Sequence, residues 1–326
     1  MPTKISVLPL AAESLGVRSM CTHVETPDLR ILVDAGVSLS PTRFGLTPHP
    51  FEFQALRESR FRIAEFAEKA DVVTISHYHF DHHTPSYEDW LCHWTDAEIA
   101  RQIYQDKLVL AKNYRSGINP SQRRRGWVFE KTGGKYAKRL LFADGCNFSF
   151  GGTRIRFSRP VPHGLRGTPL GWVLMVIVEY EDEKVLCASD VQGPMEAATL
   201  QFILAEEPQL MMVSGPPLYL ADFKVTVQQI QQGFRNLEIL ARTIPVTIVE
   251  HHLLRDLEWR RSIQEVFKTA KKSGNRLVSA AEFLGKEDKL LEARRKHLFE
   301  ETPPSQDYKK WAKLPEQKRR RTKPPF

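Results

Sequence analysis

Short apolar runs bounded by polar or glycine- and proline-containing turns recur along most of the chain. At residues 4–8, 16–23, 30–34, 72–76, 108–110, 153–158, 172–180, 185–188, 210–213 and 246–249 they predict strands. Between them lie longer stretches with apolar residues three and four positions apart, which predict helices over 51–69, 195–206, 222–242 and 257–272. The early part is rich in strands, and the later part alternates strand and helix. Many strands with helices to cover their outer faces imply a layered α/β domain on two sheets, with a site along the edge the two halves share. No internal repeat interrupts the pattern.

Residues 89–140 break the rhythm. They hold Trp90, Trp94, Tyr104, Tyr114, Trp127 and Tyr136 among many basic side chains, and are expected to form an insertion over the site. After about Glu301 come five prolines and the run Lys318, Arg319, Arg320, Arg321, a composition expected to stay disordered. The expected organisation is one domain over 1–285, with a basic aromatic insertion at about 89–140, followed by a basic, partly disordered extension over 286–326.

The length of 326 residues and a hydrophobic share of 41% allow a large core. The longest apolar stretch, 172–178, is far short of the roughly 20 residues that a membrane-spanning helix needs, so no membrane partner is expected. The first ten residues carry no apolar run of signal-peptide length, and the expected location is the cytoplasm. Four cysteines (Cys21, Cys92, Cys146 and Cys187) form no C-x-x-C pair, which disfavours a disulfide framework or a cysteine metal site. The net charge of +8 is unevenly spread. Residues 92–140 hold eleven Lys or Arg against four Asp or Glu, and residues 286–326 hold thirteen against seven, so the remainder is net acidic. Two basic segments on an acidic body suit a phosphate-bearing partner or a nucleic acid, though solvated helix faces would give the same count.

The chemistry concentrates at 72–83, where the apolar run Val72-Val73-Thr74-Ile75 leads into His77-Tyr78-His79-Phe80-Asp81-His82-His83. In extended backbone His77 and His79 point the same way and can share one metal, leaving Asp81 and His82 for a second. Imidazole and carboxylate are the ligands of zinc and similar divalent ions. More ligand-type residues follow other expected strands: His163 between stiffening prolines, Asp190 after 185–188, and the pair His251 and His252 after 246–249.

With Asp34 of Ile31-Leu32-Val33-Asp34-Ala35-Gly36, these motifs in order resemble the metallo-β-lactamase fold superfamily over about residues 1–285. The wording around His83-Thr84-Pro85 and Glu250-His251-His252-Leu253-Leu254-Arg255-Asp256 is similar to a largely uncharacterised archaeal branch of predicted metal-dependent hydrolases. The resemblance implies a four-layer αββα sandwich and two divalent metal ions: zinc, with manganese or iron as alternatives. It also implies that His77, His79 and His163 bind one ion and Asp81, His82 and His251 the other, that Asp190 bridges them, and that Asp34 orients a ligand. Whether His251 or His252 turns inward is left open. Flavodiiron members carry glutamate at the position of His79, so histidine there argues for hydrolysis.

The expected activity is therefore binuclear hydrolysis by a metal-activated water, with Asp81 and Asp190 catalytic and His252 or His83 serving the leaving group. Arg123, Arg124 and Arg125, the insertion's tryptophans and Tyr219 are candidate substrate contacts. Phosphodiesters or other phosphate-bearing substrates are favoured by the charge pattern. Thioesters, lactones and other esters remain alternatives, as does a nucleic-acid-binding protein whose metals are structural.

Overall fold

The computed structural model describes residues 2–221 and 225–326. The first three residues of the helix expected over 222–242 lie outside that range. The strands are β1 (Ser6–Pro9), β2 (Thr22–Glu25), β3 (Arg30–Val33), β4 (Val72–Ile75), β5 (Leu108–Ala111), β6 (Arg139–Phe142), β7 (Asn147–Phe150), β8 (Thr153–Phe157), β9 (Val161–Pro162), β10 (Trp172–Val173), β11 (Val176–Tyr180), β12 (Glu183–Cys187), β13 (Leu210–Ser214), β14 (Val246–Glu250) and β15 (Arg276–Val278). The helices are α1 (Pro50–Lys69), α2 (Ala97–Tyr104), α3 (Pro120–Lys131), α4 (Ala197–Glu206), α5 (Val227–Thr243), α6 (Trp259–Ser262), α7 (Gln264–Lys272), α8 (Ala280–Phe283), α9 (Arg295–Glu301), α10 (Gln306–Ala312) and α11 (Glu316–Arg320).

Strands β1 to β6 form one sheet in chain order, and a second sheet runs β15-β14-β13-β12-β11-β8-β7. In each, a parallel block (β3 to β6 and β12 to β15) adjoins antiparallel strands. Side chains alternate between two apolar layers. Ile31, Val33, Val176, Val178, Leu210 and Met212 meet between the sheets, while Leu32 faces α1 and Ile177, Leu186 and Met211 face α5 and α7. This buries the central strands on both faces and explains why they read as continuous apolar runs. The result is the expected helix-sheet-sheet-helix sandwich.

Helix α1 begins where Pro50 follows His49, whose ring accepts from the Phe51 N–H while Glu52 reaches back to the His49 N–H. Within it, fully buried Arg60 bonds Thr84 Oγ1 and donates to the carbonyl of His93 at 2.9 Å. Thr84 in turn donates to the Ala35 carbonyl at 2.5 Å. One helix side chain thus ties the loop after β3 to the loop after β4, the two that carry Asp34 and the histidines.

The two basic segments differ from expectation. Residues 89–140 are not a separate cover, because β5 pairs in parallel with β4 and β6 with β5, so the span supplies two strands of the first sheet. Its charged residues belong to the connections; the strand expected at 108–110 is β5, whereas β6 is not among the expected strands. Trp90, Trp94, Tyr104 and Tyr114 are buried in the layer beneath α1, and of the span's tryptophans Trp127 is the exposed one. The extension over 286–326 is ordered as α9, α10 and α11. It is anchored by buried Tyr308 and Trp311 against Phe53, with Phe326 against Trp94. Buried Arg295 grips Glu52 with two bonds of 2.8 Å. Smaller departures are the splitting of 257–272 into α6 and α7, of 172–180 into β10 and β11, and the start of β2 at Thr22 rather than 16.

No helix among the described residues is long and apolar enough to cross a membrane. All four cysteines are free.

Candidate metal centre

Asp34, His77, Asp190 and His251 leave the ends of β3, β4, β12 and β14, at the carboxyl edges of the two parallel blocks. Ligands in open α/β sheets collect at such edges. Asp34, Ser189, Gln192 and His251 all have positive φ, between 52° and 63°. L-residues hold that conformation at a cost, and its recurrence here marks a site over-determined by its surroundings. Gly36 belongs to the same construction: a Cβ there would lie 2.3 Å from the His83 backbone nitrogen and 2.5 Å from that of His82. Only a glycine lets the first motif pack onto the histidine loop.

The histidine loop turns about one carbonyl. The His79 oxygen accepts from the backbone N–H of His82 at 2.9 Å and from His83 Nδ1 at 3.0 Å. Three side chains then set the rings. Asp34 accepts from the Ser76 hydroxyl at 2.6 Å and from His82 Nδ1 at 2.8 Å. Because the Ser76 proton is committed to Asp34, its oxygen accepts from His77 Nδ1 at 3.0 Å. Glu13 Oε2 accepts from His251 Nδ1 at 3.0 Å. Each of these bonds holds a proton on Nδ1 and leaves Nε2 of His77, His82 and His251 as a lone pair.

Those lone pairs converge. Nε2 of His77 faces Nδ1 of His79 at 3.1 Å, and Nε2 of His251 lies 3.5 Å from Asp81 and 3.4 Å from Asp190. His163 Nε2 is 2.7 Å from Asp190 Oδ2 but misaligned for a hydrogen bond, so among the described residues it, His82 Nε2 and Asp190 Oδ1 are buried without a hydrogen-bonding partner. Unsatisfied buried polar atoms are costly, and several pointing into one space fit a cation. Among the described residues three groups of ligand atoms lie within 4.8 Å: His77, His79, His163 with Asp190; Asp81, His82 with His251; and Asp190 with His251 and His252. The donor set fits a metal site.

His251 and His252 are separated by their partners. His252 Nδ1 accepts from Arg255 Nη1 at 3.1 Å and lies 2.7 Å from the Tyr219 hydroxyl, so the proton sits on Nε2, which donates to Asp190 Oδ2 at 3.1 Å. His251 therefore offers a lone pair and His252 an N–H.

Electrostatics divide the rings. Burial would lower His251 and His82, but Glu13 and Asp190 raise His251 to about 10, and Asp34 and Asp81 raise His82, a pull that a cation would answer in place of a proton. Burial, reinforced by neighbouring imidazoles, holds His77 and His79 well below the usual histidine range, and burial takes His252 down to about 3. These rings are neutral, so His77 and His79 keep a free nitrogen for a cation and His252 keeps one N–H to donate. Burial alone would raise Asp190, but the imidazoles of His163, His252 and His251 outweigh it and hold the carboxyl well below its ordinary range.

Glu13 and Arg255 are the site residues that the sequence alone does not reveal. Arg255 bonds Glu13 through Nε at 2.9 Å and so fixes the carboxylate that orients His251. Glu13 lies in an unremarkable stretch, 238 residues from its partner, and no local spacing marks it. Of the expected substrate contacts, Arg125 reaches the metal-facing cavity of about 540 Å³, Arg124 lines a smaller neighbour, and exposed Arg123 lines neither. His83 faces that smaller neighbour rather than the metal cavity, which corrects its expected service to the leaving group. The extension contributes Arg320 to the metal cavity's wall.

No family model matches the chain. The UPF0282 protein of Methanopyrus kandleri is 45% identical over 292 residues, covering 90% of this chain and 98% of the relative. The chain belongs to the UPF0282 family. Other UPF0282 proteins, from Thermococcus gammatolerans and Methanocaldococcus jannaschii, are 43% and 41% identical over 293 and 295 residues, each covering 90% of this chain and 94% and 96% of the relative. Unliganded yeast PDE1 superposes with a TM-score of 0.50 at 12% identity, over 84% of this chain and 97% of that one. The metallo-β-lactamase fold protein YhfI of Bacillus subtilis gives 0.49 at 13%, over 84% and 95%. With its two sheets and the histidine loop at their carboxyl edge, this UPF0282 chain has the metallo-β-lactamase fold.

Proposed function

We propose that this UPF0282 protein is a binuclear metal-dependent hydrolase acting on phosphodiesters. The observation that carries the reading is the set of fixed Nδ1 protons on His77, His82 and His251, which aims three lone pairs at Asp81 and Asp190. His77, His79 and His163 would hold one ion, Asp81, His82 and His251 the other, with Asp190 between them. Zinc suits these donors best. Bound there, the ions would lower the pKa of a water and stabilise negative charge developing on the substrate.

The chain's own groups supply the rest. Asp81, partly open to the cavity, can take the proton of the attacking water. His252 holds an N–H at the cavity wall, backed by Arg255 and Tyr219, where it can donate to a leaving oxygen. Of the arginines around the same cavity, Arg18, Arg255 and Arg320 are paired with Glu292, Glu13 and Asp89, whereas Arg125 meets no carboxylate in ion-pair distance among the described residues, and its guanidinium favours a phosphate over a neutral carbonyl. The test is hydrolysis of an activated phosphodiester by zinc- or manganese-loaded protein. Asp190→Ala is expected to lose bound metal by elemental analysis and at least about a hundredfold in turnover, more than the loss of an orienting partner costs. Retained turnover in the variant refutes the scheme.

A further inference from the structure

Beside the metal cavity lies a second one of about 420 Å³, and the two share Phe80, Tyr87 and Arg125. The volume is within the ordinary range for a small-molecule site, roughly 300–1,000 Å³. Its walls are largely apolar: Phe80, Tyr87, Val128 and Phe129, with Pro85 at the base. Besides the hydroxyls of Ser86, Ser121 and Thr132, two polar features interrupt them. Arg125 spans the junction, its guanidinium 4.5 Å above the Phe80 ring, with no carboxylate in ion-pair distance among the described residues, and Arg124 stands on the same helix at the cavity wall. The other is His83, which is 2% exposed.

The His83 ring is fixed by its partners. A carbonyl only accepts, so the bond from Nδ1 to the His79 oxygen places the proton on Nδ1. Nε2 is then an acceptor, and among the described residues nothing bonds it. An alkyl chain filling the cavity would bury that lone pair unsatisfied, which weakens binding. A flat ring bearing an N–H would satisfy it while packing on Phe80 and Phe129. An anion attached to such a ring would fall at Arg125, the residue both cavities share. A planar heterocycle with N–H donors, joined to a phosphate, is a nucleotide.

We infer that this side cavity is a nucleobase subsite, with His83 Nε2 accepting from the base and Arg125 pairing with the phosphate between base and metal centre. The inference rests on the phosphodiesterase reading and names its substrate class: nucleotide phosphodiesters, including the ends of single strands.

The test compares two esters with one leaving group, thymidine 5′-(p-nitrophenyl phosphate) and methyl p-nitrophenyl phosphate, on metal-loaded protein. The nucleotide ester is expected to have at least a tenfold higher kcat/KM. Val128→Trp, which fills the cavity from the half-buried face of α3, is expected to bring that ratio close to one, and Val128→Ala to keep it within about threefold. A ratio near one in the unaltered protein, or one that Val128→Trp leaves unchanged in a folded sample, overturns the subsite while the hydrolase stands. If neither ester turns over in protein verified to hold metal, the phosphodiesterase reading fails instead. Calorimetric titration with thymidine 5′-monophosphate then decides the subsite alone. Binding abolished by Val128→Trp supports it, and absence of binding overturns it. Hydrolysis of a decanoyl thioester that Val128→Trp blocks would assign the cavity to an acyl chain and overturn the base.

Discussion

The histidine loop and the C-terminal extension are both dense in charged or titratable side chains, yet one declares itself in sequence and the other does not. The loop's chemistry is local: four ligand-type residues within six positions, entering from a strand whose period of two sets their directions. The extension's order is wholly non-local. Arg295 meets Glu52 across 243 positions, and Tyr308 bonds the carbonyl of Pro48 across 260. Composition describes a segment in isolation, so it describes a metal loop well and a docked tail badly.

The largest effect expected on this contrast comes from Arg295→Ala. Its guanidinium bonds both oxygens of Glu52 and the carbonyls of Leu46 and Ser40, all within 3.0 Å. Burial already raises Glu52, and only Arg295 and the His49 N–H offset it. Removing the partner leaves a buried carboxylate exposed to that penalty, at about 3–5 kcal/mol. Thermal or urea unfolding should show the loss. A shift below about 1 kcal/mol would mean that the extension is draped over the domain rather than built into it.

A second clamp ties the extension to the N-terminus and responds to acid. Burial alone would raise Glu292, but Arg18, at 2.5 Å, brings it down to about 2. Because the folded value is depressed, the stabilisation is present above the free carboxyl's value of roughly 4.3 and is lost as pH falls toward about 2. It is worth on the order of 3 kcal/mol at most. Glu292→Gln should therefore lower stability at neutral pH and flatten its fall between pH 4.5 and 2, and an unchanged acid profile would place the clamp's energy elsewhere.

On the side of the loop, Asp34→Asn tests whether fixed tautomers matter apart from the ligands. Asp34 carries the Ser76 hydroxyl and the His82 ring, and an amide can present a donor where one of those bonds needs an acceptor. Metal affinity should fall 10- to 100-fold with little change in unfolding of the metal-free protein. Equal affinity in a competition with a chelator would reduce Asp34 to a packing residue.

How far the sequence reached follows the same division. The sandwich, the histidine loop, Asp34, His163, Asp190 and the pair at 251 and 252 were all visible, because each follows an apolar run that reads as a buried strand. Which of the pair turns inward was not, since that depends on Glu13 and Arg255, and Glu13 has no periodic or spacing signal. The strands β5 and β6 were folded into a supposed insertion because the connections around them are basic and aromatic. Of the insertion's tryptophans weighed there as substrate contacts, Trp90 and Trp94 proved to be core, alongside Tyr104 and Tyr114. Aromatic content alone does not distinguish a binding platform from the layer under a helix.

The smallest effect separates residues that sequence could only treat as one run. Arg123, Arg124 and Arg125 occupy successive positions on α3, so helix geometry turns them about 100° apart and sends them to different surroundings. Arg125 is half-buried at the wall of the metal cavity, whereas Arg123 is exposed and faces neither cavity. A hydrogen bond between charged partners is worth about 1.5–3 kcal/mol, so Arg125→Ala should raise KM for a phosphodiester roughly tenfold or more. Arg123→Ala should change KM less than about twofold and stability within about 0.5 kcal/mol, as exposed substitutions do. Equal losses in the two variants would mean that the triplet acts as a diffuse positive field, and the contrast between a placed guanidinium and mere charge density would disappear.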